Sequence, residues 1–92
     1  MATTPETTEH VTVFYADWCP FCSRLRKDLD TLGTPHALVD AEAEGTEDIN
    51  AWIESVNDGN RIVPTVLYSD GTHATNPAAS EVRAKYAELA SE

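Results

Sequence analysis

Two cysteines, Cys19 and Cys22, stand in the run Trp18-Cys19-Pro20-Phe21-Cys22, and they are the only 2 in the chain. Thiol–disulfide exchange needs this arrangement: one thiolate attacks a disulfide sulfur, and a second thiol within reach displaces the mixed disulfide. From Cys22 onward the apolar residues Cys22, Leu25, Leu29 and Leu32 recur at helical spacing, with Arg24, Arg26, Lys27, Asp28 and Asp30 on the other face. Pro20 fits the first helical position, where its missing N–H costs nothing. Cys19 therefore precedes a helix and Cys22 lies in its first turn, so the free N–H groups and positive dipole end favour negative charge on Cys19 over Cys22. Cys19 is the candidate nucleophile and Cys22 the resolving thiol. Trp18 and Phe21, large apolar residues beside the sulfur on a loop, read as contact surface, with Pro20 between the thiols in the same set.

Other uses of the pair fit less well. A disulfide staple closing so short a loop would remove little chain entropy. A metal site needs partners, and His10, His36 and His73 lie in or beside strands with no ligand spacing between them. A second signal comes from Val63-Pro64, which interrupts two strand-like stretches where a trans Pro in mid-ladder would break the pairing. A bend with a cis bond is expected there. It would leave the Val63 N–H and C=O free to pair with an extended thiol substrate, as an added strand would.

The elements that position these residues follow from periodicity. Val11-Thr12-Val13-Phe14-Tyr15 is a strand buried on both faces. The helix after Pro20 ends at Gly33-Thr34-Pro35. His36 to Asp40 is a second strand, and Ile49, Trp52, Ile53 and Val56 mark the buried stripe of a second helix, with Trp52 in the core. The run Asn57-Asp58-Gly59-Asn60 breaks that helix, and Ile62 to Tyr68 resumes β character around Pro64. Ser69-Asp70-Gly71 turns into a fourth strand, Thr72 to Thr75. Asn76-Pro77 reads as an N-cap and first position of a last helix that buries Ala79, Val82, Tyr86 and Leu89. The expected architecture is α/β, ordered β-α-β-α-β-β-α, with a four-stranded mixed sheet flanked by three helices. Strands joined through helices are expected to run parallel and the last two antiparallel.

Length and charge narrow the function classes. With 92 residues there is room for one domain, read here as residues 10–92 behind a disordered tail at 1–9. Six basic against 16 acidic side chains give a net charge of −10, which repels phosphate backbones and anionic lipid, so neither nucleic acid nor membrane is an expected partner. No apolar run approaches the roughly 18 to 20 residues of a membrane span, and the first ten residues lack a secretory pattern, so a cytoplasmic protein is expected. The acidic run Asp40, Glu42, Glu44, Glu47, Asp48 reads foremost as a solvated face, with partner selection as the alternative.

The order of elements, the Trp18-to-Cys22 motif and Val63-Pro64 together resemble the thioredoxin superfamily in its short glutaredoxin-like form, over His10 to Ala90. Pro-aromatic between the cysteines is similar to glutaredoxins, whereas Trp before the first cysteine is a thioredoxin habit. Val13 stands where thioredoxins usually have a buried Asp. Ala16 stands where glutathione-using glutaredoxins usually have Lys, and their Gly-Gly-x-Asp segment is missing. Arg61 alone matches a basic position of the glutathione grip. Ser55-Val56-Asn57-Asp58-Gly59-Asn60-Arg61, Val63-Pro64-Thr65-Val66, Asp70-Gly71-Thr72, and Thr75-Asn76-Pro77 with Glu81-Val82-Arg83-Ala84-Lys85 resemble the mycoredoxins of actinobacteria.

That resemblance implies reduction of mixed disulfides between proteins and mycothiol, a pseudodisaccharide thiol. It places the nucleophile on Cys19, the resolving thiol on Cys22 and the substrate-facing backbone on Val63 and Pro64, and it suggests substrate binding by Thr75 and Asn76. Mycothiol would be a co-substrate with no tightly bound cofactor. S-mycothiolated proteins would be the partners, with an NADPH-dependent mycothiol disulfide reductase behind them, and the protein would act as a monomer. Two alternatives stay open: a dithiol redoxin reduced by thioredoxin reductase and serving ribonucleotide reductase or peroxidases, and an iron–sulfur cluster carrier, against which Pro20 argues.

Overall fold

The computed structural model describes residues 4–91. Of the expected tail, residues 1–3 lie outside the described residues, and 4–9 form no helix or strand. The elements then follow in the expected order: β1 (Val11–Tyr15), α1 (Pro20–Leu32), β2 (Ala37–Asp40), α2 (Glu47–Val56), β3 (Thr65–Tyr68), β4 (His73–Thr75) and α3 (Ala79–Ala90). The strands form one sheet in the order β2-β1-β3-β4. Alternation along β1 splits the core in two. Val11 and Val13 pack with Leu25 and Leu29 of α1, Val66 and Tyr68 of β3, and Val82 and Leu89 of α3. Phe14 faces the other way, with Trp52 and Ile53 of α2 and Leu67 of β3. Trp52 is buried as expected, its ring 5.5 Å from Phe14 and 6.0 Å from His73.

α1 begins and ends where its signals lie. Pro20 opens it, and Gly33 closes it in the left-handed conformation at φ 69°, its N–H bonded to the carbonyls of Leu29 and Asp30. Leu32 departs from expectation: it is exposed rather than part of the buried stripe. It is the last residue of the helix, past the reach of α3 and the sheet.

Two expectations need correction. β1 pairs parallel with β2, as expected, but β3 runs antiparallel to β1, Phe14 facing Thr65 and Val11 facing Tyr68. The helix between β2 and β3 does not return the chain to the starting end of the sheet. Ala41 at the end of β2 accepts bonds from Thr46 and Asn50 at the start of α2, while Asn57 at its other end reaches Thr65, the first residue of β3. Both ends of α2 thus lie at the same end of the sheet. Ten residues of helix measure about 15 Å, enough to cross the two strand spacings of about 10 Å from β2 over β1 to β3. The helix crosses the width of the sheet, and β3 starts beside the end of β1 and runs back.

The second correction is the start of α3. Asn76 is not its N-cap and Pro77 is not its first residue; Ala78 is the cap and Ala79 the first residue, with no side-chain capping bond. Asn76 instead adopts φ 46°, a left-handed conformation that Asn tolerates better than most residues, and its N–H bonds the Pro64 carbonyl at 2.8 Å. A capping residue would need extended backbone angles. β3 likewise starts at Thr65, so Ile62, Val63 and Pro64 form a separate segment ahead of it. Among the described residues no helix is long and apolar enough to cross a membrane.

Candidate active site

The turn after β1 delivers Cys19 to the N-terminus of α1, where its N–H bonds the Ala16 carbonyl at 3.1 Å. Cys19 is the N-cap itself: its backbone is extended, and its Sγ accepts the Cys22 N–H at 3.3 Å. A sulfur here takes the place of the Ser or Asp oxygen that usually satisfies a first-turn amide, and it faces the positive end of the helix. Cys22 lies one turn on, fully buried among Ala16, Cys19, Tyr15 and Val63. Burial, followed by the hydrogen bond with Cys19, pushes its thiol from 9.0 up to about 12. Cys22 is thus held as a thiol at neutral pH, and it is the Cys19 sulfur that faces the helix end. Both cysteines are unpaired, and Cys19 is 2% exposed.

Val63 meets Cys19 from across the sheet. The Val63–Pro64 peptide is cis, as expected, and the Cys19 thiol donates to the Val63 carbonyl at 3.6 Å. An open groove of about 510 Å³ lies beside this contact, walled by Trp18, Arg61 and Val63 together with Glu42, Glu47, Thr46 and Asn50. A second groove of about 350 Å³ runs between α1 and the approach to α3, lined by Phe21, Arg24, Asn76 and Pro77 among others. Of the expected contact residues, Trp18, Arg61 and Val63 line the first groove and Phe21 and Asn76 the second, while Pro20, Pro64 and Thr75 line neither. Trp18 and Phe21 are 67% and 58% exposed, as contact surface must be.

Arg61 lines the first groove, but its Nε is already paired with Glu54 Oε2 at 2.6 Å. Thr75 is drawn elsewhere, its hydroxyl donating to Asn57 Oδ1 at 2.5 Å. Arg26 lies over the Tyr15 ring at 4.4 Å, which keeps its charge close to the cysteine turn. Sequence reasoning gave Thr46, Asn50 and Asn57 no site role and read Glu42 and Glu47 foremost as a solvated face, with partner selection as the alternative. The groove forms where the loop after β2 meets the segment before β3, and nothing local in the sequence joins those two. Among the described residues, no group of three or more His, Cys, Asp or Glu side chains is placed to hold a metal ion.

Comparison with known proteins agrees with this geometry. The glutaredoxin sequence profile matches residues 11–74. Mycoredoxin 1 of Corynebacterium glutamicum is 56% identical over 81 residues, which cover 88% of this chain and 98% of that protein. Two solved glutaredoxins share the fold. That of wheat gives a TM-score of 0.64 at 27% identity, covering 88% of this chain and 82% of its own. That of Archaeoglobus fulgidus gives 0.66 at 20% identity, covering 84% and 85%. The thiol pair at a helix start, the Val63–Pro64 segment against it and the sequence shared along nearly all of the domain lead to one conclusion: the chain belongs to the glutaredoxin family, in its mycoredoxin branch, and is a thiol–disulfide oxidoreductase carrying the pair Cys19–Cys22.

Proposed function

We propose that the protein reduces mixed disulfides between cytoplasmic proteins and mycothiol, acting as a monomer. The observation that carries this reading is the groove beside Cys19. Its polar wall offers acceptors, the carboxylates of Glu42 and Glu47 and the Asn50 Oδ1, while the Asn50 amide N–H and the Thr46 hydroxyl donate to the Ala41 carbonyl and the Arg61 Nε pairs with Glu54. A neutral thiol rich in hydroxyl groups finds hydrogen-bond partners there. Glutathione, with two carboxylates of its own, meets the like charge of Glu42 and Glu47 on that wall, where the cation Arg61 is shared with Glu54, so the same residues work against it. Mycoredoxin 1 is also similar along 88% of this chain.

The mechanism has two exchanges. The Cys19 thiol gives up its proton and with it the hydrogen bond to the Val63 carbonyl, which then accepts from a substrate amide. The Cys19 thiolate attacks the mycothiol sulfur of the mixed disulfide, the protein leaves as a thiolate, and Cys19 becomes S-mycothiolated. A second mycothiol thiolate attacks the mycothiol sulfur on Cys19, forming mycothiol disulfide and restoring the Cys19 thiolate. NADPH reduces that disulfide through a mycothiol disulfide reductase. Cys22 opens a side branch in which it displaces mycothiol and closes a disulfide with Cys19.

NADPH consumption with a protein–mycothiol mixed disulfide tests the reading. Mycothiol with its reductase should support turnover, whereas glutathione with its reductase, or thioredoxin reductase alone, should not. In the mycothiol system Cys22→Ser should retain activity and Cys19→Ser should have none. Turnover with thioredoxin reductase alone would replace this reading with a dithiol redoxin.

A further inference from the structure

The segment that presents Val63 to Cys19 has no ladder bonds of its own and is held from outside. Its last residue, Pro64, is held through its carbonyl by the Asn76 N–H at 2.8 Å. Its first residue, Ile62, is held through its carbonyl by the Thr65 hydroxyl at 2.7 Å. Behind Thr65 lies Asn57, the C-cap of α2 and 8% exposed. The Asn57 Nδ2 donates to the Ile53 carbonyl at 2.8 Å and to Thr65 Oγ1 at 3.3 Å, while its Oδ1 accepts from the Thr75 hydroxyl at 2.5 Å.

Proton counting fixes every direction in this network. Thr65 has one hydroxyl proton and gives it to Ile62; Thr75 has one and gives it to Asn57; the two amide protons of Asn57 go to Ile53 and Thr65. Only an amide at position 57 both accepts from one side and donates twice to the other. Aspartate would bury a charge and have no proton for the Ile53 carbonyl or Thr65 Oγ1, and an apolar residue would strand three partners. The Asn57 side chain thereby joins the end of α2, the start of β3 and the end of β4 around the Val63 segment.

We propose that Asn57, coupled to Thr75, is a positioning residue for the exchange reaction, holding the Val63 carbonyl against Cys19 so that substrate docks in register with the sulfur. The proposal rests on Val63 as substrate-facing backbone, and not on which small thiol serves the protein. It also gives Thr75 a role different from direct substrate binding.

The test uses two probes on the reduced full-length protein. The disulfide of N-acetylcysteinamide carries peptide groups that can pair with Val63; iodoacetamide needs only access to the sulfur. Thr75→Val should slow single-turnover reduction of the disulfide about tenfold, as misplacement of a docking group does. The same variant should speed alkylation of Cys19 by a factor of about three or more, because the Val63 carbonyl no longer sits over the sulfur. Thr75→Ser, which keeps the hydroxyl, should return both rates most of the way to those of the wild type. Asn57→Ala should repeat both effects, and the double variant should be no worse than the stronger single one. If Thr75 touches substrate directly, Thr75→Val slows reduction and leaves alkylation unchanged, which overturns the proposal. Unchanged rates with both probes overturn it too. Should Asn57→Ala fail to fold, the opposite movement of the two rates in Thr75→Val decides the matter alone.

Discussion

Burial, and then Cys19 beside it, raise the Cys22 thiol from 9.0 to about 12, and a thiol raised on folding makes stability depend on pH. Above about pH 9 the unfolded chain loses the Cys22 proton while the folded one keeps it, so the reduced protein loses stability as pH climbs from about 9 toward 12. Urea midpoints at about pH 8 and about pH 10 should draw together for wild type and Cys22→Ser, any advantage of wild type shrinking at the higher pH; a constant difference would contradict the burial argument. The residues that could be read from the sequence are those whose chemistry is local. Cys19, Pro20 and Cys22 declare a helix start and a thiol pair within four positions, and Pro64 declares a break in a strand. Asn57 was legible as a helix breaker and as part of a family-like run but not as a positioning residue, because its partners Thr65 and Thr75 are brought to it by the sheet. Arg61 matched a binding position in pattern, and only the structure reveals Glu54 on its Nε.

Among the elements, β1 supports the most packing, with helices over both of its faces, and it carries one local conflict. Thr12 is 2% exposed, and its Oγ1 has no hydrogen-bond partner among the described residues. A buried hydroxyl without a partner costs about 1 to 3 kcal/mol, and Val has nearly the same shape. Thr12→Val should therefore stabilise the protein by about 1 kcal/mol, read as a rise in the urea midpoint with unchanged slope. A fall would mean that the hydroxyl is satisfied by buried water. Element type and order were legible because periodicity is strong over β1, α1 and α2. The direction of β3 was not, since the rule for parallel crossovers assumes a helix that runs back along the sheet, and α2 runs across it. The start of α3 was misplaced for a related reason: Asn76-Pro77 has the composition of a cap, but the Pro64 carbonyl claims the Asn76 N–H.

For the whole molecule, a charge of −10 makes each paired carboxylate count. Lys85 of α3 reaches Asp70 in the turn between β3 and β4 at 2.8 Å and lies 5.8 Å from the Tyr68 ring centre, tying the last helix to the far edge of the sheet. Hydrogen bonds from Lys85, then from Thr72, hold the Asp70 carboxyl well below the usual carboxylate range. A carboxyl depressed on folding contributes stability above its unfolded value near 4, and that contribution is lost as pH falls below it. The thermal midpoint should drop as pH falls from about 4 toward 2, and Asp70→Asn should remove part of that drop; an identical acid limb in the variant would assign it to other carboxylates. The burial of Cys19 has a consequence of another kind. Peroxide drives a cysteine through sulfenic to sulfinic and sulfonic acids according to its thiolate character and its exposure, and the last stages are not reversed by thiols. A sulfur tucked between Ala16, Cys22 and Val63 is sheltered from that ladder in the reduced protein, so its burial protects the same atom that exchange chemistry exposes.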